Sequence, residues 1–540
     1  MKRIYVSGRV FAGRLPLQEA FAVEGERFAA VGSDGEVLAL RAEGDEVIDL
    51  GGRFVCPGFN DSHMHLLNYG AAMSGCDLAA HTASLADVQN ALRDFIRREG
   101  ITPGQWVKGR GWTQDYFAGE KRIPTRHDLD AVSMEHPICI VRCCGHALVV
   151  NTRALTLLGL DGAQPQPEGG QYETESDGYP NGVFCDNAMP MALTRMPLPD
   201  RAEIRRMMRE ACRKLNSVGV TSAQTDDLLA FEGVDWHEVM EAYKEMDAAG
   251  ELTVRVHEQS QFMTVEGLQN FLAEGYHTGW RQGKLRVGPL KILGDGSLGA
   301  RTALMSQGYA DAPGEKGLAI FTQEQLDALI SCAHNAGMQV AVHVIGDGIL
   351  DRVLAAYEKA FAANPHEDHR SGVVHVQLTR PDQLERMAQM KLHAYVQSVF
   401  LDYDSRIVHA RAGEKLASTS YAFRTMREMG MHVSNGTDCP VEKPDPMRGV
   451  QCAVTRQPID GSLPPYNPGE AMTVEEALRS YTAEGAWASF EEREKGCIAP
   501  GMLADFVVMS ENPFDVEPSR LASIRAVETY LGGEKVYSEG

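Results

Sequence analysis

Pro57-Gly58-Phe59-Asn60-Asp61-Ser62-His63-Met64-His65 is the stretch on which the reading of this chain turns. Phe54, Val55 and Cys56 precede it as a short apolar run that suits a buried strand, which puts the His-Met-His triplet at that strand's end. Alternate residues of a strand point the same way, so the imidazoles of His63 and His65 project together. Two neutral imidazoles on one side are a ready pair of ligands for zinc or a similar divalent metal. Taken alone, a His-x-His pair is equally compatible with a solvated strand face, so the remaining chain has to decide.

Beyond this stretch a helical pattern covers Leu85 to Arg98, followed by an irregular region from about Gln105 to Pro199, rich in Trp, Gly and Cys. From Arg201 onward strands and helices alternate. Strands are expected at Val220 to Gln224, Leu252 to Glu258, Leu285 to Leu293, Gln339 to Val344, Gly372 to Val376, Leu392 to Val399 and His432 to Asn435. With the strand before His63 these make eight, most of the later ones preceded by a crossover helix, and eight such units close into a (β/α)8 barrel. At both ends of the chain, Lys2 to Val55 and Asp505 to Tyr537 read as short strands with turns, the latter carrying the hairpin signal Gly532-Gly533. The expected architecture is an α/β TIM barrel over residues 57–494, interrupted by an inserted α+β segment at about 105–200. Residues 1–56 and 495–540 complete it as the two parts of one small β-sandwich.

The active site of such a barrel lies where its strands end. The first strand offers His63 and His65, the fifth His343, the sixth His375, and the eighth runs into Asp438. The fourth contains Lys291 between Pro289-Leu290 and Ile292-Leu293, an unusual setting for a lysine. One histidine on an apolar strand is ordinarily a satisfied core residue. Four histidines, an aspartate and a lysine delivered to one rim are much harder to make by chance, and Asp438 is the candidate carboxylate to accept a proton from an attacking water.

These motifs resemble the metal-dependent amidohydrolase superfamily, in the third amidohydrolase family, which includes N-substituted formamide deformylases. The resemblance rests on Pro57 to His65, Asp295 to Ala303, His343 to Asp347, His375-Val376-Gln377 and Thr437 to Pro440, and extends to Pro500 to Asp505. It implies one metal on His63, His65 and Asp438 and a second on His343 and His375. It also implies a carboxylated Lys291 bridging the two; an ion pair of Lys291 with Asp295 or Asp347 is the competing reading. The resemblance further implies hydrolysis of a carbon–nitrogen bond, such as that of an N-substituted formamide, by water activated on zinc. A deaminase or cyclic-amide hydrolase on the same barrel is the alternative, and a non-catalytic binding module the remote one. Trp112 and His146 match positions that relatives use near the substrate, although such rings more often serve packing; Asp295 and Arg301 follow the fourth strand as candidate substrate contacts that either line the pocket or brace its rim. The chain departs from the family pattern at Val374, Thr437 and Cys439, beside the expected ligands rather than among them.

Composition narrows the partners. Lys and Arg number 52 against 74 Asp and Glu in 540 residues, and the formal charge of −22 repels nucleic acid and anionic membrane alike. No apolar run has the form of a secretory signal or a membrane span, so a cytoplasmic protein acting on a small molecule is expected, with a homodimer left open. Eleven cysteines without a Cys-x-x-Cys are expected to be reduced thiols. Gly294-Asp295-Gly296-Ser297-Leu298-Gly299 spells a dinucleotide fingerprint, but Gly308, Pro313 and Gly314 follow too soon for the helix that would receive a pyrophosphate.

Overall fold

The structure is a computed structural model that describes residues 1–143, 147–167, 170–186 and 188–539. The chain forms two compact units, residues 1–69 with 201–540, and residues 70–200.

The larger unit holds the barrel. Its eight strands are Phe59–Met64, Val220–Thr225, Arg255–Gln261, Leu285–Leu293, Val340–Val344, Gly372–His375, His393–Val396 and Val433–Asn435. They pair in parallel in chain order, as the α/β alternation requires. The eighth strand is short, and the loop after it joins the first strand: the Asp438 N–H donates to the His63 carbonyl at 2.8 Å. The Thr437 N–H donates to Asp61 Oδ1 at 3.0 Å and its hydroxyl to Asp61 Oδ2. Gly436 permits this crossing, because a Cβ there would lie 2.5 Å from the His63 nitrogen. At the opposite mouth the helix Ala483–Ala488 caps the barrel, its Gly485 and Ala488 carbonyls accepting from Gln224 and Gln339.

Two sheets built from both ends of the chain pack as a sandwich. One orders Arg27–Gly32, Ala20–Glu24, Lys2–Val6 and Glu46–Asp49; the other orders Arg9–Val10, Phe54–Pro57, Phe506–Met509, Ala526–Leu531 and Glu534–Ser538. Tyr5, Phe21, Phe28, Val55, Phe506 and Tyr530 meet between them. This corrects the reading of the opening stretch. The apolar run Phe54 to Cys56 pairs with Met509 to Val507 in the sandwich, and His63 lies inside the next strand. Gly58 makes the passage between the two, since a Cβ on it would stand 2.2 Å from Thr221 Oγ1.

The smaller unit is α+β. Its mixed sheet runs Gly170–Thr174, Pro180–Asp186, Ala147–Val150, Ile138–Arg142, Val107–Trp112 and Cys76–Asp77. The helix Leu85–Glu99, started by the Ser84 side chain and ended by Gly100 at φ 61°, buries Val88, Leu92 and Phe95 against Val107 and Trp112. No helix among the described residues is long and apolar enough to cross a membrane, and the described cysteines are free thiols.

Candidate metal centre

All six expected ligands meet at the C-terminal ends of the barrel strands. Asp438 Oδ1 is 3.2 Å from His63 Nε2 and 3.0 Å from His65 Nε2. Lys291 Nζ is 3.2 Å from His63 Nε2, and His343 Nδ1 is 2.9 Å from His375 Nε2. The His63 and His375 rings lie 5.7 Å apart, so the two histidine pairs adjoin. His63, His65 and Asp438 place their ligand atoms within 4.8 Å of one another. His63 and Lys291 are fully buried.

Three residues that the sequence reading passed over aim these ligands, each from a strand to which it assigned nothing. Gln259, in the third strand, accepts from His63 Nδ1 at 2.9 Å while its Nε2 donates to the Ser62 carbonyl at 3.1 Å. Gln397, just beyond the seventh strand, accepts from His375 Nδ1 at 2.6 Å. Asp226, just beyond the second, accepts from His65 Nδ1 with Oδ1 and from Lys291 Nζ with Oδ2 at 3.0 Å. Lys291 therefore pairs with Asp226, not with Asp295 or Asp347.

These partners fix the tautomers. A neutral imidazole has one N–H, and where that hydrogen is committed outward the other nitrogen turns a lone pair inward. His63 thus turns an Nε2 lone pair inward, and the His65 Nε2 faces the same oxygen of the Asp438 carboxylate. His343 donates Nε2–H to the Gly296 carbonyl at 3.1 Å, so its Nδ1 and the Nε2 of His375 also face each other as lone pairs. Burial holds His63 and His375 below the usual histidine range, and with the Lys291 charge takes His343 down to about 4. Burial also lowers His65, but Asp226 and Asp438 outweigh it and push it up to about 10. Burial raises the Asp438 carboxyl, yet its bonds to His63 and His65 take it well below the usual range. Asp226 is likewise held low against burial by His65 and Lys291. Two imidazoles and one carboxylate that converge this closely form a divalent-metal donor set, which a metal completes by displacing the proton from His65.

The other candidates lie elsewhere or brace the rim. Asp295 accepts the N–H groups of Leu304, Ile345 and Gly346, and burial pushes its carboxyl up to about 7. Arg301 pairs with Asp311 at 2.9 Å. Trp112 is fully buried in the apolar core of the smaller unit, and His146 lies outside the described residues. Thr437 and Cys439 sit at the barrel closure, where the Cys439 carbonyl accepts from the His65 N–H at 2.8 Å. Val374 is core, packed with Ala341, Tyr395 and Ala488.

Comparison with known proteins agrees with this geometry. The amidohydrolase family model matches residues 46–537. YtcJ of Bacillus subtilis strain 168 is 32% identical over 92% of this chain and 91% of its own. The N-substituted formamide deformylase of Arthrobacter pascens is 28% identical over 97% of this chain and 96% of its own. Among solved structures, an uncharacterized metal-dependent hydrolase from Pyrococcus furiosus superposes with a TM-score of 0.79 at 27% identity, over 95% of this chain and 100% of its own.

Asp226→Ala removes the acceptor of His65 Nδ1 and the anion beside Lys291 while leaving His63, His65 and Asp438 in place. Metal affinity is expected to fall about 10–100-fold, measured by competition with a chromophoric chelator. An affinity within about twofold of wild type would show that Asp226 does not aim the centre.

Proposed function

The chain belongs to the amidohydrolase family, and on that premise we propose that it hydrolyses the carbon–nitrogen bond of an amide, with N-substituted formamides as the class to test first. The convergence of His63, His65 and Asp438 carries the proposal, because two imidazoles and a carboxylate can hold the divalent ion that such hydrolysis uses. The full-length similarity to an N-substituted formamide deformylase supports the choice of substrate class.

Bound at this centre, a divalent ion supplies a Lewis acid that polarises the scissile carbonyl and makes water a nucleophile near neutral pH. The residues do the remainder. Asp438 takes the attacking water's proton on a carboxylate oxygen and returns it to the departing nitrogen, which leaves as an amine. Gln259 and Asp226 hold the His63 and His65 rings so that their Nε2 atoms stay turned toward that carboxylate.

The finer identity of the cofactor is part of the same proposal. Zinc suits a set dominated by imidazole. His343 Nδ1 and His375 Nε2 would hold a second ion, and a carbamate formed from Lys291 and carbon dioxide, with loss of a proton, would bridge the two. The competing state is a Lys291 ammonium kept by Asp226.

Zinc-loaded protein screened against N-formyl, N-acyl, cyclic-amide and aminopurine compounds is expected to cleave an N-formyl or other acyclic amide. Preferred turnover of a cyclic amide or aminopurine would favour the alternative chemistry. Asp438→Asn, checked for folding and metal content, is expected to lower kcat by about a hundredfold or more; a rate within about tenfold of wild type would move the base elsewhere. Wild type is expected to bind two ions and Lys291→Ala one, with partial rescue of activity by added short carboxylates. One ion in both proteins would reject the bridge.

A further inference from the structure

The loops after the sixth, seventh and eighth barrel strands hold a second polar group beside the metal centre. Gln377 lies two residues beyond His375, a reach of at most about 7 Å. Phe400 stacks on the His375 ring, the centroids 5.6 Å apart and the planes inclined by 16°. One helical turn further on, Asp404 accepts two hydrogen bonds on the same oxygen, Oδ2. They come from Gln377 Nε2 and from the Tyr421 hydroxyl, each at 2.7 Å. The Tyr421 N–H donates to the Gln377 carbonyl at 3.0 Å, which ties the two loops together.

On Gln377 and Asp404 themselves, the atoms left open are acceptors. Gln377 is 2% exposed and its Oε1 is buried without a partner. Asp404 is 8% exposed, and no hydrogen bond falls on its Oδ1 among the described residues. Glu442, half-buried in the loop after the eighth strand, brings a second carboxylate whose charge reaches Asp404. No lysine, arginine or histidine nitrogen among the described residues comes within 4.0 Å of either carboxylate; Lys443 and Arg448 act on Glu442 only from farther off. Burial, with the Glu442 charge added, pushes the Asp404 carboxyl up to about 6. A buried acceptor such as Gln377 Oε1 is rarely left without a donor. The open acceptors of Asp404, Gln377 and Glu442, two of them carboxylates, match a ligand that brings donors and positive charge.

We propose that Asp404, Gln377 and Glu442 form the subsite for a cationic group, an ammonium or guanidinium, carried by the substrate. The proposal rests on the amide-hydrolase reading given above and adds the charge of the substrate to it. The group would enter beside Phe400, with the scissile amide left at the neighbouring metal centre.

The test is calorimetric titration of the metal-loaded protein with butylguanidinium and with N-butylurea, an uncharged molecule of the same shape. Butylguanidinium is expected to bind at least tenfold more tightly. That preference is expected to vanish in Asp404→Asn and to shrink in Glu442→Gln, with metal content and unfolding temperature unchanged. Equal binding of the two probes, or a preference kept in both variants, would overturn the proposal. So would a potassium ion that binds here and excludes butylguanidinium. Should Asp404→Asn fail to fold, Glu442→Gln decides, because its side chain is half-exposed. Calorimetry needs no turnover, so a cation preference without cleavage of any amide would count against the amide reading alone. Amide cleavage without the preference would count against the subsite alone.

Discussion

The contact between the first barrel strand and the loop after the eighth is the constraint on which this molecule depends. Asp61, fully buried, accepts from the backbone of His63 and from the backbone and hydroxyl of Thr437, and the next residue along, Asp438, binds the His63 carbonyl. Burial pushes the Asp61 carboxyl up to about 7, and these donors are what pull it back toward its charged form. Barrel closure and ligand geometry are therefore one structure: the bonds that join strand one to strand eight also set Asp438 across from the two histidines. A loosened seam would cost both, since a buried carboxylate left without donors is unfavourable by about 1–3 kcal/mol or more.

Around that seam, neutral and charged orienting groups are used in different places for a physical reason. Gln259 and Gln397 steer His63 and His375, which are buried with a cationic side chain or another imidazole for a neighbour, and an amide oxygen accepts their N–H without adding charge. Asp226 steers His65, where Lys291 lies on its other oxygen and a carboxylate is compensated. The strands that carry no expected ligand, the second, third and seventh, supply these three groups. Every strand of the barrel thus contributes to the centre.

Most of the barrel was legible in the sequence because parallel strands covered on both faces read as apolar runs, as in Val340-Ala341-Val342 and Gly372-Val373-Val374. Histidines and a lysine set in such runs stood out, and the structure gathers them. The first strand was misplaced because Asn60, Asp61, Ser62 and His63 are polar though fully buried, and the apolar run beside them belongs to the sandwich. The orienting groups were missed for the same reason. The third strand was expected to stop at Glu258, yet it continues through Gln259 and Ser260, both buried, and Gln259 gives its amide to His63 rather than to water. The second was expected to end before Asp226, and Gln397 was taken into the interior of the seventh. At a barrel's functional mouth, inward polar residues are satisfied across strands, and periodicity within one strand does not register that.

Metal-edge X-ray absorption on the purified protein tests the central claim most directly. The account predicts a divalent ion with at least two imidazoles at about 2.0–2.1 Å and oxygen in the remaining coordination, and a weakened imidazole signature with less bound metal in the His63→Ala, His65→Ala double variant. A bound ion whose spectrum lacks imidazole, or one that is unchanged in the double variant, would contradict it.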